Sequence, residues 1–294
     1  MTARHVAGPG RRRWLAAAAG GLAALGVGRG ARASAPAGAR VALVIGNGAY
    51  PAAPLRNAVA DSRLVAGTLR ELAYQVAMLE NADLDRMLDA LRRFVLEGAA
   101  AESRVLYYAG HGMQAAGRNY LLPVGATIQS EADLRTRAVD ATDLIARLSR
   151  IERGVNLVVL DACRNLPETL VATGPRARSV DGTARDGLAP VDPPRGTLVA
   201  YSTSPGSVAL DGAAGQNSPY TRHLVEQMRV PGLPVESIFK RVRAAVMQET
   251  RQAQMPWETS SLVGDWCLRP DPQGRCAPPT APPPQRQSLD LRRL

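Results

Sequence analysis

Two short apolar runs, each followed at once by polar residues, constrain the fold of this chain more than any other feature. Residues 105–109 (VLYYA) precede Gly110-His111-Gly112, and residues 156–160 (NLVVL) precede Asp161-Ala162-Cys163. Runs this short, bounded by glycine or polar residues, favour buried strands of a parallel sheet over helices. In open α/β sheets ligands bind beyond the carboxyl ends of the strands, so we expect both polar clusters at one edge of the sheet.

These two clusters contain the residue types that thiol catalysis requires. The thiolate of a cysteine is the nucleophile, and a neighbouring histidine generates or stabilises it. His111 and Cys163 are therefore the predicted catalytic pair, and the glycines beside His111 predict a sharp turn with close approach of the backbone. The alternatives are a core histidine and an inert cysteine, since free cysteines are among the most buried residue types.

The rest of the folded part alternates strands with helices. Further strands are predicted at residues 41–45, 74–79 and 196–202, and helices at residues 55–73, 83–98, 142–151, 219–228 and 235–250. Strands alternating with helices predict an α/β fold with a parallel, doubly wound sheet. Residues 166–195 carry almost no apolar periodicity and predict a long mobile loop. Residues 269–294 predict a Pro-rich disordered tail.

Residues 1–35 predict an export signal. They hold six arginines and no acidic residue, and Arg11-Arg12-Arg13 precede a mild apolar run and the cleavage pattern Ala33-Ser34-Ala35. The arginine pair and the weakly hydrophobic run are similar to a twin-arginine signal, which predicts a periplasmic protein with no membrane association beyond that signal. An uncleaved anchor is the alternative, but a run of about 14 residues is short of the roughly 20 that a spanning helix needs.

The charge and the remaining cysteines narrow the function classes. The net charge of +10 falls to +4 without residues 1–35, and no basic stripe with interleaved aromatics is present, so we predict no nucleic-acid partner. Two histidines outside the signal, without metal-type spacing, predict no zinc site. The serine-hydrolase elbow G-x-S-x-G is also missing. Cys267 and Cys276 either close a small loop in an oxidising compartment or stay reduced.

Four separated motifs resemble, in order, those of the caspase and metacaspase family of cysteine peptidases. They are Leu55-Arg56-Asn57-Ala58 through Asp61, YAGHG at residues 108–112, DACR at residues 161–164 and YSTSPG at residues 201–206. The separation of 52 residues between His111 and Cys163 matches a known caspase pattern, in which the histidine lies about 50 residues upstream. The resemblance covers roughly residues 40 to 265.

The resemblance implies a three-layer α/β/α sandwich over residues 40–268, with a large-subunit-like part at residues 40–165 and a small-subunit-like part at residues 196–268. It implies a cysteine endopeptidase acting on proteins or peptides. Cys163 would be the nucleophile, His111 the general base and acid, and the backbone N–H groups of Gly112 and Cys163 the oxyanion hole. No cofactor is predicted; calcium activates some metacaspases, and the absence of an EF-hand-like run leaves calcium open.

Departures from the caspase pattern predict specificity for a basic residue. Caspases place a glutamine two residues before the cysteine and an arginine after the YSTxPG segment, where this chain has Asp161 and Asp211. Carboxylates favour arginine or lysine at P1, the metacaspase preference, and Asp61 resembles a third contributor. Alternatively, Asp161 caps a helix or orients the loop, and Asp211-Gly212 is a plain turn. Self-cleavage sites under this preference are Arg176, Arg178, Arg185 and Arg195.

Two other functions fit parts of the sequence. A caspase-like fold can serve as a non-catalytic binding or scaffold module in the cell envelope, although both catalytic residue types are present. A cysteine hydrolase can also act on amides other than proteins, but the predicted acidic pocket favours a peptide with a basic residue.

Overall fold

The computed structural model describes residue 2 and residues 38–163, 188–204, 209–213 and 215–276. The strands are β1 (Arg40–Gly46), β2 (Gln75–Glu80), β3 (Ser103–Ala115), β4 (Arg118–Leu121), β5 (Val139–Asp140), β6 (Val155–Cys163), β7 (Thr197–Tyr201) and β8 (Trp257–Ser260). The helices are α1 (Ala58–Glu71), α2 (Leu84–Glu97), α3 (Glu131–Arg137), α4 (Ala141–Leu148), α5 (Pro219–Met228) and α6 (Val235–Glu249). The predicted export signal, most of the predicted mobile loop and the end of the predicted tail lie outside the described residues.

One mixed sheet organises the described residues. Its order is β2-β1-β3-β6-β7-β8, in which the first five strands run parallel and β8 runs antiparallel to β7. A short antiparallel extension is formed by β4, which pairs with the end of β3, and by β5, which pairs with β4. The predicted mostly parallel α/β fold is confirmed, with β3 and β6 as neighbours at its centre.

Helices cover both faces of the sheet, as the three-layer arrangement requires. On one face α1, α5 and α6 pack against alternate strand residues such as Val105, Tyr107 and Val159. On the other face α2 and α4 pack against the intervening residues, among them Leu106 and Val158. Strands buried on both faces are continuously apolar, which is why these runs are readable in the sequence. No helix within the described residues is long and apolar enough to cross a membrane.

The two central strands run further than their apolar runs indicate. We expected β3 to end at Ala109, yet it continues through Gly110, His111 and Gly112 to Ala115. The predicted sharp turn at these glycines is therefore wrong. The reason is tertiary, because β4 pairs with residues 112–115 and supplies the hydrogen-bond partners that let the strand continue.

The segment after β8 is fastened to the domain by a disulfide and by backbone bonds. Cys267 and Cys276 are joined, which decides between the two alternatives that the sequence left open. The Trp266 carbonyl accepts from the backbone N–H of Val235 at 2.8 Å, and the Leu268 carbonyl accepts from Arg40 Nη1 at 2.8 Å. The disulfide loop thus closes a segment that already contacts β1 and the start of α6.

Removing this disulfide is expected to lower stability without changing substrate preference. In the chain-entropy model, a cross-link that closes a loop of about ten residues contributes on the order of 2–3 kcal/mol. We expect the Cys267→Ser/Cys276→Ser variant to lose about that free energy of unfolding in urea titrations. The matched control is wild type under reducing conditions, which should lose a similar amount. An unchanged unfolding midpoint in both samples would contradict the prediction.

Candidate active site

The carboxyl ends of β3 and β6 bring the predicted catalytic residues side by side. The parallel register pairs Gly110 with Ala162 and His111 with Cys163. Neighbouring strands lie about 4.8 Å apart, so the backbones of His111 and Cys163 are adjacent although the two residues are 52 positions apart along the chain. Both predicted polar clusters therefore reach the same edge of the sheet.

The imidazole of His111 is held in one tautomer by the loop after β1. His111 is buried, and its Nε2 lies 2.8 Å from the carbonyl oxygen of Ala53. A carbonyl only accepts hydrogen bonds, so Nε2 carries the proton of the neutral ring. Nδ1 is also buried and has no hydrogen-bond partner among the described residues. Burial lowers the pKa of His111, partly offset by the Ala53 bond, which favours the neutral ring with its lone pair on Nδ1.

Two tyrosines fix the position of His111. The Tyr50 ring packs on the imidazole with its centroid 4.4 Å away, and its hydroxyl accepts from the backbone N–H of His111 at 3.1 Å. The hydroxyl of Tyr108 donates to the His111 carbonyl at 2.6 Å. Sequence reasoning missed Tyr50 and Ala53, because no local pattern links that loop to His111.

Close packing explains the glycines on both sides of His111. A Cβ on Gly110 would lie 2.5 Å from the Tyr108 hydroxyl, and one on Gly112 would lie 3.0 Å from Cδ2 of Leu188. The close approach predicted from the sequence is thus present, although in an extended strand. Any side chain at either position would displace groups that pack around the predicted catalytic histidine.

The described end of the predicted mobile loop is anchored beside this edge. Leu188 is buried against Gly112, and the side-chain amide of Asn119 pairs with the backbone of Ala189 through bonds of 2.9 and 2.6 Å. Of the predicted self-cleavage sites, Arg195 falls within the described residues and is exposed in the turn before β7. The other sites lie outside the described residues.

The three predicted pocket acids come together in one pocket at the same edge. Asp61 from α1, Asp161 from β6 and Asp211 from the segment before α5 line it, together with Ala109 and Gly110 of β3. Within the part of the chain that the structure describes, no salt bridge involves any of the three carboxylates. The pocket therefore brings three acidic side chains together, and no cationic side chain among the described residues pairs with them.

Asp61 is a buried carboxyl group whose charged form is disfavoured by its surroundings. It is 2% exposed, and its Oδ1 accepts from Asn217 Nδ2 at 2.8 Å and from the backbone N–H of Ser218 at 3.0 Å. Burial first, and then the charge of Asp161, raise the pKa of Asp61 to about 7 in spite of these bonds. The carboxyl group of Asp61 is therefore partly protonated near neutral pH.

Asp211 is positioned by the start of α1. Its Oδ2 accepts from the backbone N–H of Arg56 at 3.2 Å, and its carbonyl accepts from the buried Asn57 side chain at 2.6 Å. Asn57 also accepts from the backbone N–H of Gly215 at 3.3 Å. The motif that opens α1 thus holds the wall of the pocket that carries Asp211.

Replacing Asp61 with asparagine is expected to stabilise the protein above pH 7. A raised pKa means that the folded state binds the proton more tightly than the unfolded chain. The contribution of this tighter proton binding to the free energy of unfolding is fully present below about pH 4 and is lost as pH rises through about 7. Asparagine retains an oxygen for Asn217 and Ser218 but carries no charge. We expect about 2 kcal/mol more free energy of unfolding at pH 8 and no gain at pH 4, measured by urea titration.

Asp89→Asn is the control for this measurement. Asp89 is an exposed carboxylate on α2, and its replacement should change stability by less than about 0.5 kcal/mol at both pH values. A stability gain for Asp61→Asn that is the same at pH 4 and pH 8 would contradict an electrostatic cause.

No group of three or more histidine, cysteine or acidic side chains in the described ranges is placed to hold a metal ion. The parallel register pairs the backbones of His111 and Cys163 at the ends of neighbouring central strands, beside the pocket that the three aspartates line. A three-layer sandwich with this arrangement belongs to the caspase-like class of α/β domains. A comparison with family models agrees: the model described as the caspase domain matches residues 39–266, and the chain belongs to this family. Its members are typically cysteine peptidases that act on proteins.

Two curated relatives show weaker similarity. The mucosa-associated lymphoid tissue lymphoma translocation protein 1 of Homo sapiens and its homolog of Mus musculus are each 29% identical to this chain over 110 residues. The matched stretch is 37% of this chain and 13% of each relative. The similarity thus concerns a small part of much longer proteins.

Proposed function

We propose that this protein is a cysteine endopeptidase that cleaves after arginine or lysine. The observation that carries the proposal is the register of β3 and β6, which pairs His111 with Cys163 while the Ala53 carbonyl holds the imidazole. Membership of the caspase-domain family supports the same assignment.

In the proposed mechanism His111 acts through Nδ1. With Nε2–H bound to Ala53, Nδ1 accepts the proton of the Cys163 thiol, and the thiolate attacks the scissile carbonyl carbon. The backbone N–H groups of Gly112 and Cys163 stabilise the oxyanion. As the C–N bond breaks, the protonated imidazole returns its proton to the departing amine. Water, deprotonated by the same ring, then hydrolyses the thioester and releases the new carboxyl group.

Specificity is assigned to the pocket that contains Asp61, Asp161 and Asp211. A guanidinium or ammonium group entering it gains three carboxylates that have no described cation partner, and a planar guanidinium can be bound through paired hydrogen bonds. An aspartate side chain would be repelled there. We therefore assign these residues to the P1 site and arginine as the preferred P1 residue.

We also propose that the protein is exported to the periplasm by the twin-arginine route and acts without a cofactor. The arginine-rich start of the sequence supports export. The Cys267–Cys276 disulfide is consistent with an oxidising compartment.

Hydrolysis of matched fluorogenic peptides tests the function. Peptides identical except for arginine, lysine, citrulline or aspartate at P1 are offered to the protein with calcium or with a chelator. Cleavage after arginine and lysine, with little after citrulline and none after aspartate, is the expected result. Cleavage after aspartate would overturn the pocket assignment alone. No cleavage under any condition would favour a binding or scaffold module.

A further inference from the structure

The carboxylate of Asp161 lies where β6, β3 and α5 meet. Tyr107 from β3 and Thr221 from α5 each donate a hydrogen bond to the same oxygen, Oδ2, at 3.0 Å. The two hydroxyl oxygens are themselves 2.8 Å apart, and both side chains are fully buried. This triangle of oxygen atoms is part of the interior, next to the pocket.

The triangle favours the ionised form of Asp161. Each hydroxyl has a single hydrogen, so when both hydrogens are donated to Oδ2 the 2.8 Å contact between the hydroxyls has none, and a charged carboxylate oxygen is the stronger acceptor for both bonds. Hydrogen bonds made to the charged form of a carboxyl group favour that form. Burial raises the pKa of Asp161, and the hydroxyl groups of Ser202, Tyr107 and Thr221 act in the opposite direction.

We propose that Tyr107 and Thr221 are specificity-determining positioning residues, which keep Asp161 ionised and fix its orientation so that the pocket binds a cationic side chain. This inference rests on the proposed function, since it concerns how the assigned P1 site selects its substrate. Neither residue contacts the substrate in this scheme, because both are enclosed between the sheet and α5.

The groups around Asp161 disfavour a negative charge on its carboxyl group, so the hydrogen bonds from Tyr107 and Thr221 are needed to keep it ionised. Within the part of the chain that the structure describes, the charged and titratable groups that act on Asp161 or respond to its charge are Asp61 from α1, Asp211 from the segment before α5, Tyr107 from β3 and Tyr220 from α5. None of these groups is a cation, and the two aspartates repel a charge on Asp161. Without the two hydroxyl donors, Asp161 would take up a proton at a higher pH and lose its attraction for a basic substrate.

The test compares arginine with citrulline at P1, because these side chains have nearly the same shape and differ in charge. Values of kcat and KM are measured from pH 5.5 to 8.5 for wild type, Tyr107→Phe and Thr221→Val. We expect each variant to lose about tenfold of the arginine-over-citrulline ratio of kcat/KM near pH 6.5, mainly through KM. In these variants Asp161 itself takes up a proton at a higher pH, so the acid limb of the arginine profile should move to higher pH. Thr221→Ser should retain the wild-type ratio because it keeps the hydroxyl.

Two control variants separate this role from a structural one. Tyr74→Phe removes a buried hydroxyl that is hydrogen-bonded to Ser103, at the start of β3 and away from the pocket. Tyr220→Phe removes a buried hydroxyl that is near Asp161 but has no hydrogen-bond partner within the described residues. Both should leave the ratio and the pH profile unchanged. Thermal unfolding of all variants verifies that they are folded.

The outcomes separate this inference from the proposed function. If wild type cleaves after arginine but Tyr107→Phe loses activity equally on both peptides, or keeps the wild-type pH profile, the inference is wrong and the proposed function stands. If Thr221→Ser behaves like Thr221→Val, the hydroxyl is not the cause and the inference is again wrong. If wild type does not prefer arginine to citrulline, the assigned pocket and this inference both fail.

Discussion

Replacing Cys163 with alanine is expected to abolish cleavage of arginine peptides, with kcat reduced by about 10⁴-fold or more. The reason is that alanine has no group to form the thioester, so only direct attack of water on the peptide bond remains. Stability should change little, which distinguishes lost chemistry from unfolding. The measurement is the rate of release of the fluorophore from the P1-arginine peptide.

His111→Asn should reduce kcat by a comparable factor, since nucleophile and base act as one unit and their effects do not add. The Cys267→Ser/Cys276→Ser variant serves as the cysteine control and should keep its activity. Full activity in Cys163→Ala would reject the mechanism. Full activity in His111→Asn would show that a different group activates the thiol.

The second large effect is expected from Asp161→Asn. Removing one partner of a buried charge pair costs roughly 2–5 kcal/mol, so kcat/KM for the arginine peptide should fall by about 100-fold. Cleavage of the citrulline peptide should change far less, because the loss comes from charge. The exposed Asp265→Asn is the matched control and should leave both substrates unaffected.

The pH dependence adds an independent check on Asp161→Asn. The charge of Asp161 is one cause of the raised pKa of Asp61. In wild type, kcat/KM for arginine should therefore fall as pH drops through about 7, where Asp61 takes up its proton. Without the Asp161 charge, the pKa of Asp61 falls and this acid limb should move to lower pH. An acid limb at the same pH in wild type and Asp161→Asn would mean that protonation of Asp61 does not cause it.

The pocket links stability to the proposed activity. Its carboxylates destabilise the empty protein above pH 7, which is why Asp61→Asn should unfold less readily at pH 8. The same substitution should weaken binding of a basic substrate, because the charge that costs stability is the charge that attracts the cation. Titratable groups whose pKa values are shifted by burial and like charges are common at functional sites.

Local sequence patterns predicted the elements that carry strong local signals. The apolar runs of β1, β3, β6 and β7 are readable because both faces of these strands are buried, and Asp83 marks the start of α2 by accepting from the Arg86 backbone N–H. Other elements escaped prediction. The helix α3 has only seven residues with one buried side chain, and β8 (WETS) has no apolar run and is defined by its pairing with β7.

The sequence by itself determined that His111 and Cys163 each follow a strand-like apolar run, and the parallel pairing of β3 with β6 then places them side by side at one edge. Only the tertiary structure decided the ring state of His111, because Ala53 and Tyr50 come from a loop that meets it through folding. The acidic residues were known only by resemblance, and their common pocket follows from contacts between α1, β6 and the segment before α5. Periodicity records which residues are buried, whereas hydrogen bonds between distant segments depend on the packed fold and leave no local pattern.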